Sequence, residues 1–150
     1  RVFFRQLPEP CMVRYPLIFL LLSGCVATAA SLISGRQAEP LAGGLIFFIN
    51  AVGLTVIFAT IGYLAARLMP AKKVAFTRVL AVYALSSGLV LHAAWMPNLW
   101  IFTEPWKWWL IGVGMIHACN LKTAQALAVI GISGGIWMLV VWALLPLTAL

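Results

Sequence analysis

The residues able to carry acid–base, redox or metal chemistry are few in this chain. Its acids are three glutamates, Glu9, Glu39 and Glu104, its histidines are His92 and His117, and its cysteines are Cys11, Cys25 and Cys119. Two histidines on neighbouring membrane helices can ligate a haem. Here His92 falls near the end of one apolar run and His117 near the far end of the next. The helical rise then separates them by about 20 Å, which excludes one haem held by both. Each is left as a single ligand, or one shared with a partner chain. The cysteines show no CxxC spacing and no matching histidine pattern, so neither a zinc site nor a disulfide framework is expected. They read as small apolar residues. Proton or cation transport uses carboxylates inside the bilayer, whereas all three glutamates fall in loops or at interfaces. No glycine-rich phosphate loop, GxSxG elbow or HExxH occurs. No catalytic residue, metal site or cofactor is expected, and the chain does not read as an enzyme.

Two other constellations concern packing. Asn50 is the strongly polar residue of a long apolar run. An amide facing hydrocarbon without a partner costs several kcal/mol, so it should point to a neighbouring helix. Matching the outer ends of the two adjacent runs sets it level with Ser86, and matching the inner ends sets it level with His92. Asn50 is therefore expected to bond Ser86, Ser87 or His92, directly or through water. The functional alternative is a small polar pocket, open to the outer face, lined by the same residues. Small residues also recur at four-residue spacing: Gly131 with Gly135, Ala84 with Gly88, and Gly62 with Ala66. Such pairs let helix backbones approach closely in lipid, and they are expected to face other helices.

The elements that must position these residues are membrane spans. Hydrophobic residues make up 64% of the chain and charged residues 9%, against roughly 45–50% and 25% in soluble domains. A bilayer accommodates that much apolar surface. The net charge of +7 would suggest nucleic acid in a soluble protein, but the bases sit at the ends of apolar runs. That is topology signalling, and no nucleic acid or soluble substrate is expected. The stretch 67–78, RLMPAKKVAFTR, is the densest basic segment and reads as a cytoplasmic hairpin. Around it the reading is one all-α bundle of five transmembrane helices, about 16–34, 41–68, 74–95, 99–119 and 124–147, after an interfacial lead-in over 1–15. The fourth span is short from Trp106 onward and contains Pro105, so the alternative is four spans plus one re-entrant segment. Trp95, Trp100, Trp106, Trp108 and Trp109 read as an outer aromatic belt. With five spans, eight of the ten bases lie on one side, leaving only Arg36 and Lys107 on the other. The positive-inside rule then sets the N-terminus in the cytoplasm and the C-terminus outside, in what is expected to be a bacterial cytoplasmic membrane.

Three stretches carry a family resemblance: RVFFRQLPEP at 1–10 followed by YPLIF at 15–19, FTRVLAVYALSSG at 76–88, and WWLIGVGMIHACNLKTAQALAVI at 108–130. Together they resemble the Yip family, the Ypt/Rab-interacting membrane proteins with five spans, and in particular its small bacterial branch. The resemblance covers most of the chain. It implies a five-helix membrane fold and no established catalytic residues. The expected function is that of a non-enzymatic, Yip-like protein acting through lipid contacts and through other transmembrane proteins or self-association. The alternative is an accessory subunit of a larger energy-transducing or transport complex, touching a quinone, pigment or haem with its aromatic outer rim.

Overall fold

The structure, a computed structural model, describes residues 14–34, 40–69, 74–93 and 99–144. It consists of five α-helices: α1 (Arg14–Ile33), α2 (Pro40–Leu68), α3 (Phe76–Leu91), α4 (Trp100–Ala118) and α5 (Thr123–Leu144). No strand occurs among the described residues. Arg14–Ile33, Leu41–Leu68 and Thr123–Val140 are long and apolar enough to cross a membrane. This is a helical bundle with the build of a membrane protein. Of the lead-in, only Arg14 and Tyr15 are described, and both already belong to α1; residues 70–73 of the basic hairpin and the expected end of span five after Leu144 lie outside the described residues.

Helix boundaries follow local chemistry. α1 starts two residues ahead of Pro16, because a first turn tolerates proline's missing N–H. α3 is shorter than the apolar run that contains it. Ala75 is extended (φ −79°, ψ 135°) and the helix ends at Leu91, so its 16 residues rise only about 24 Å. α4 is one uninterrupted helix of 19 residues with Pro105 inside it. Asn120 then turns the chain at φ 54°, a left-handed conformation that asparagine tolerates better than most residues. The side-chain oxygen of Gln125 accepts the Lys122 N–H at 3.1 Å, which caps the start of α5.

α3 packs against α1, α2 and α4, while α5 packs against α4 and α2. Helices α2, α3, α4 and α5 therefore close a ring, with α1 laid on the outside across α2 and α3. The run Val79–Ala84 of α3 is buried on all sides, as a central helix must be. Two glycines permit the closest approaches. A Cβ added to Gly62 would lie 2.5 Å from the Tyr83 hydroxyl, and one added to Gly114 would lie 2.5 Å from Val82 Cγ1. Large apolar side chains such as Leu22, Leu41, Phe102 and Met138 stand exposed on the outer surface, which suits lipid and not water.

The small-residue pairs divide. Ala84 and Gly88 are buried, and a Cβ on Gly88 would come within 2.7 Å of the Phe19 ring. Gly62 and Ala66 are buried as well. Gly131 and Gly135 are not: both are exposed, with nothing within 4 Å of an added Cβ. The expectation that this pair packs on a neighbouring helix fails within the chain. α5 turns Ala126, Val129 and Ser133 inward instead, because the Ser133 hydroxyl is bonded to Tyr83, and that rotation carries the glycines outward. Gly131→Leu with Gly135→Leu should therefore leave the unfolding midpoint of the single chain in detergent unchanged or slightly higher, since leucine is the better helix former. A collapse in folded yield would contradict this placement.

Candidate functional site

The ring forms a half-open cavity of about 280 Å³. It lies toward the end of the bundle where α3 finishes and α4 begins. α2 lines it with Phe47, Asn50, Leu54, Thr55 and Phe58, and α3 with Tyr83, Ser87, Val90 and Leu91. α4 contributes Thr103, Glu104, Lys107, Trp108 and Ile111, and α5 contributes Trp137. The α4 positions recur every three or four residues, so one face of that helix is turned inward.

One ion pair sits in the wall. Lys107 Nζ donates to Glu104 Oε1 at 2.7 Å, with the lysine side chain 19% and the glutamate 33% exposed. The ammonium also stands 5.4 Å from the Trp108 ring centroid and 6.0 Å from that of Trp137, within range of a cation–π attraction. Phe58 meets both indoles edge-on, at 6.2 Å and 5.4 Å. Below them the Tyr83 and Ser133 hydroxyls are bonded at 3.1 Å. Glu104 Oε2 is buried and has no hydrogen-bond partner. The wall is thus neutral overall but presents both signs of charge beside an aromatic corner.

The cluster expected around Asn50 does not form as a bonded group. Asn50 and Ser87 line the same cavity, and Asn50 is exposed there. Ser86 is 1% exposed, and its hydroxyl has no hydrogen-bond partner. His92 donates from Nδ1 to the Gly88 carbonyl at 2.9 Å and stacks on Phe19 of α1 at 6.0 Å. No hydrogen bond joins Asn50 to Ser86, Ser87 or His92. For Ser86 and Ser87 the reason is register, whereas His92 is turned to Phe19 of α1 and the Gly88 carbonyl. Gly62 seats on Tyr83; from there Asn50 is about 18 Å along α2, while Ser86 is only about 4–5 Å along α3. Ser86 and Ser87 also point about 100° apart on their helix, so only one can face the cavity. The pocket reading survives for Asn50 and Ser87, not for Ser86 and His92.

Comparison with known protein families, with curated proteins and with solved structures finds no match to this chain.

His117 lies half-buried in the last turn of α4, at the opposite end of the bundle from His92. Among the described residues, no three of His, Cys, Asp and Glu come close enough together to hold a metal. Cys25 is exposed and Cys119 is buried, its Sγ 3.8 Å from Met115 Sδ. The aromatic belt is split: Trp106 and Trp109 face outward at 59% and 67% exposure, whereas Trp108 faces the cavity. Sequence reasoning passed over Glu104, Lys107, Trp108, Tyr83, Ser133 and Trp137 as a group. The available signal was an acid and a base three apart on α4, on the same helical face as Trp108 and Ile111.

Proposed function

We propose that the chain is a non-enzymatic integral membrane protein that acts by binding, through lipid and through other membrane proteins or copies of itself. In this reading it crosses a bacterial cytoplasmic membrane five times, with the N-terminus in the cytoplasm and the C-terminus external, and it is Yip-like in the sense of the stretches 76–88 and 108–130. The observation that carries it is the cavity of α2–α5. Its charges are committed to each other through Lys107 and Glu104, and its tyrosine hydroxyl is committed to Ser133. The pairs fix these side chains in place, and the capacity they leave unused, Glu104 Oε2 among it, is suited to holding a ligand.

A reporter fused after Leu150 should read as external. A cytoplasmic signal would remove one crossing and overturn the topology. Purification from native membranes in mild detergent, with mass spectrometry and an absorption spectrum, tests the function. A lone oligomer with bound lipid is expected, and a Soret band would sink the cofactor-free reading. The accessory-subunit reading is favoured by one feature, the outward aromatic face of Phe102, Trp106 and Trp109 on α4. A stoichiometric large partner in the same preparation would decide for it.

A further inference from the structure

Glu104 and Lys107 leave a specific pattern of unused hydrogen-bonding capacity. Lys107 has three N–H donors and gives one to Glu104 Oε1. Glu104 Oε2 is buried and takes none. A ligand completing this wall must bring an acceptor to Lys107 and a donor to Oε2, a few ångströms apart. A neutral planar ring with carbonyl groups meets the first requirement and leaves Oε2 empty. A simple anion does the same. A simple cation meets the second and is repelled by Lys107.

We infer that the cavity binds a primary-ammonium zwitterion of the phosphoethanolamine type, its anionic oxygens on Lys107 and its ammonium on the Glu104 carboxylate, turned to bring its buried, unpartnered Oε2 to the ligand. The opposed charges match a wall of zero net charge, and the aromatic corner of Phe58, Trp108 and Trp137 lines the same cavity. Asn50 at the cavity's exposed side offers an amide to the linking oxygens. The same chemistry is carried by a membrane lipid and by its free headgroup. The lipid is the expected source, an assignment that rests on the membrane-spanning reading above, which places the cavity at headgroup depth beside the outward Trp106 and Trp109.

The test is a tryptophan-fluorescence titration of the full chain in mild detergent. The probes are short-chain phosphatidylethanolamine, phosphatidylcholine and phosphatidylglycerol, together with glycerophosphoethanolamine, which has no acyl chains. Choline keeps the charge and lacks every N–H, so the ethanolamine lipid should bind at least about tenfold tighter, the worth of a charge-assisted hydrogen bond. Glu104→Gln should erase that preference. Equal affinity for the ethanolamine, choline and glycerol headgroups in the unaltered chain would overturn the proposal, and this comparison needs no variant to fold. Tighter binding of the lipid than of the free headgroup confirms the lipid source; equal binding of the two keeps the site and reassigns it to a soluble zwitterion. Loss of headgroup preference with an external reporter at Leu150 sinks this inference alone, while a cytoplasmic reporter sinks the membrane placement.

Discussion

Gly62→Ala should lower the unfolding midpoint of the bundle in detergent, and Gly62→Val should sharply reduce the yield of folded protein. The added Cβ meets the Tyr83 hydroxyl at 2.5 Å and Cζ at 2.9 Å, separations no real side chain tolerates. A hydroxyl at the far end of a side chain often moves aside. Moving this one aside disturbs a side chain that is 1% exposed and breaks its bond to Ser133 at 3.1 Å. Overpacking of this kind costs about 1–3 kcal/mol, occasionally more. Combining Gly62→Ala with Tyr83→Phe removes the nearest atom and should recover part of the loss. An alanine variant as stable as the parent would show that α2 and α3 do not meet at this point.

The second large effect is expected at Tyr83 itself. Tyr83→Ala should destabilise the protein by about 3–5 kcal/mol, the range for truncating a large buried aromatic. The ring is the largest fully buried side chain of the described residues, and its removal opens the floor of the cavity between α2, α3 and α5. It also strands the Ser133 hydroxyl, which is 0% exposed. Tyr83→Phe keeps the ring and loses only the bond, so about 1 kcal/mol is expected. Ser133→Ala should match it, and the double variant should cost little more than either single one, since both remove the same contact. Additive losses from Tyr83→Phe and Ser133→Ala would mean the two hydroxyls are not partners. Denaturant or thermal unfolding in a fixed detergent reads all of these.

The five helices were legible because each apolar run is long enough to declare itself and the breaks carry proline, glycine or charge. The register between helices was not. Two reasonable ways of matching the ends of α2 and α3 gave Ser86 or His92 as the partner of Asn50, and Asn50 bonds neither; the two helices are set against each other by a contact, Gly62 on Tyr83, that no periodicity encodes. α5 shows a second limit. It is apolar nearly all round, so its pattern does not say which side faces in. Ala126, Val129 and Ser133 turn inward together, and the GxxxG pair faces away from the other helices of the chain. The site was half legible. Asn50 and Ser87 were named for it, but Glu104 and Lys107 looked like a loop acid and an external base. Only the helical continuity of α4 through Pro105 puts them on one inward face with Trp108.

The closure of the ring by α2 against α5 has a consequence for biogenesis. Ribosomes deliver the chain from its N-terminal end, and α1, α2 and α3 can find one another as soon as Leu91 has been made. The contacts of α2 with α5 join segments far apart in the chain, and they must wait until α5 arrives. Until then the future binding chamber is a trough open along its side, with Glu104 and Lys107 standing at its edge and Trp137 not yet in place. α5 is therefore the helix that converts a surface groove into a deeper, half-open pocket, and a chain released before α5 is made would lack that wall.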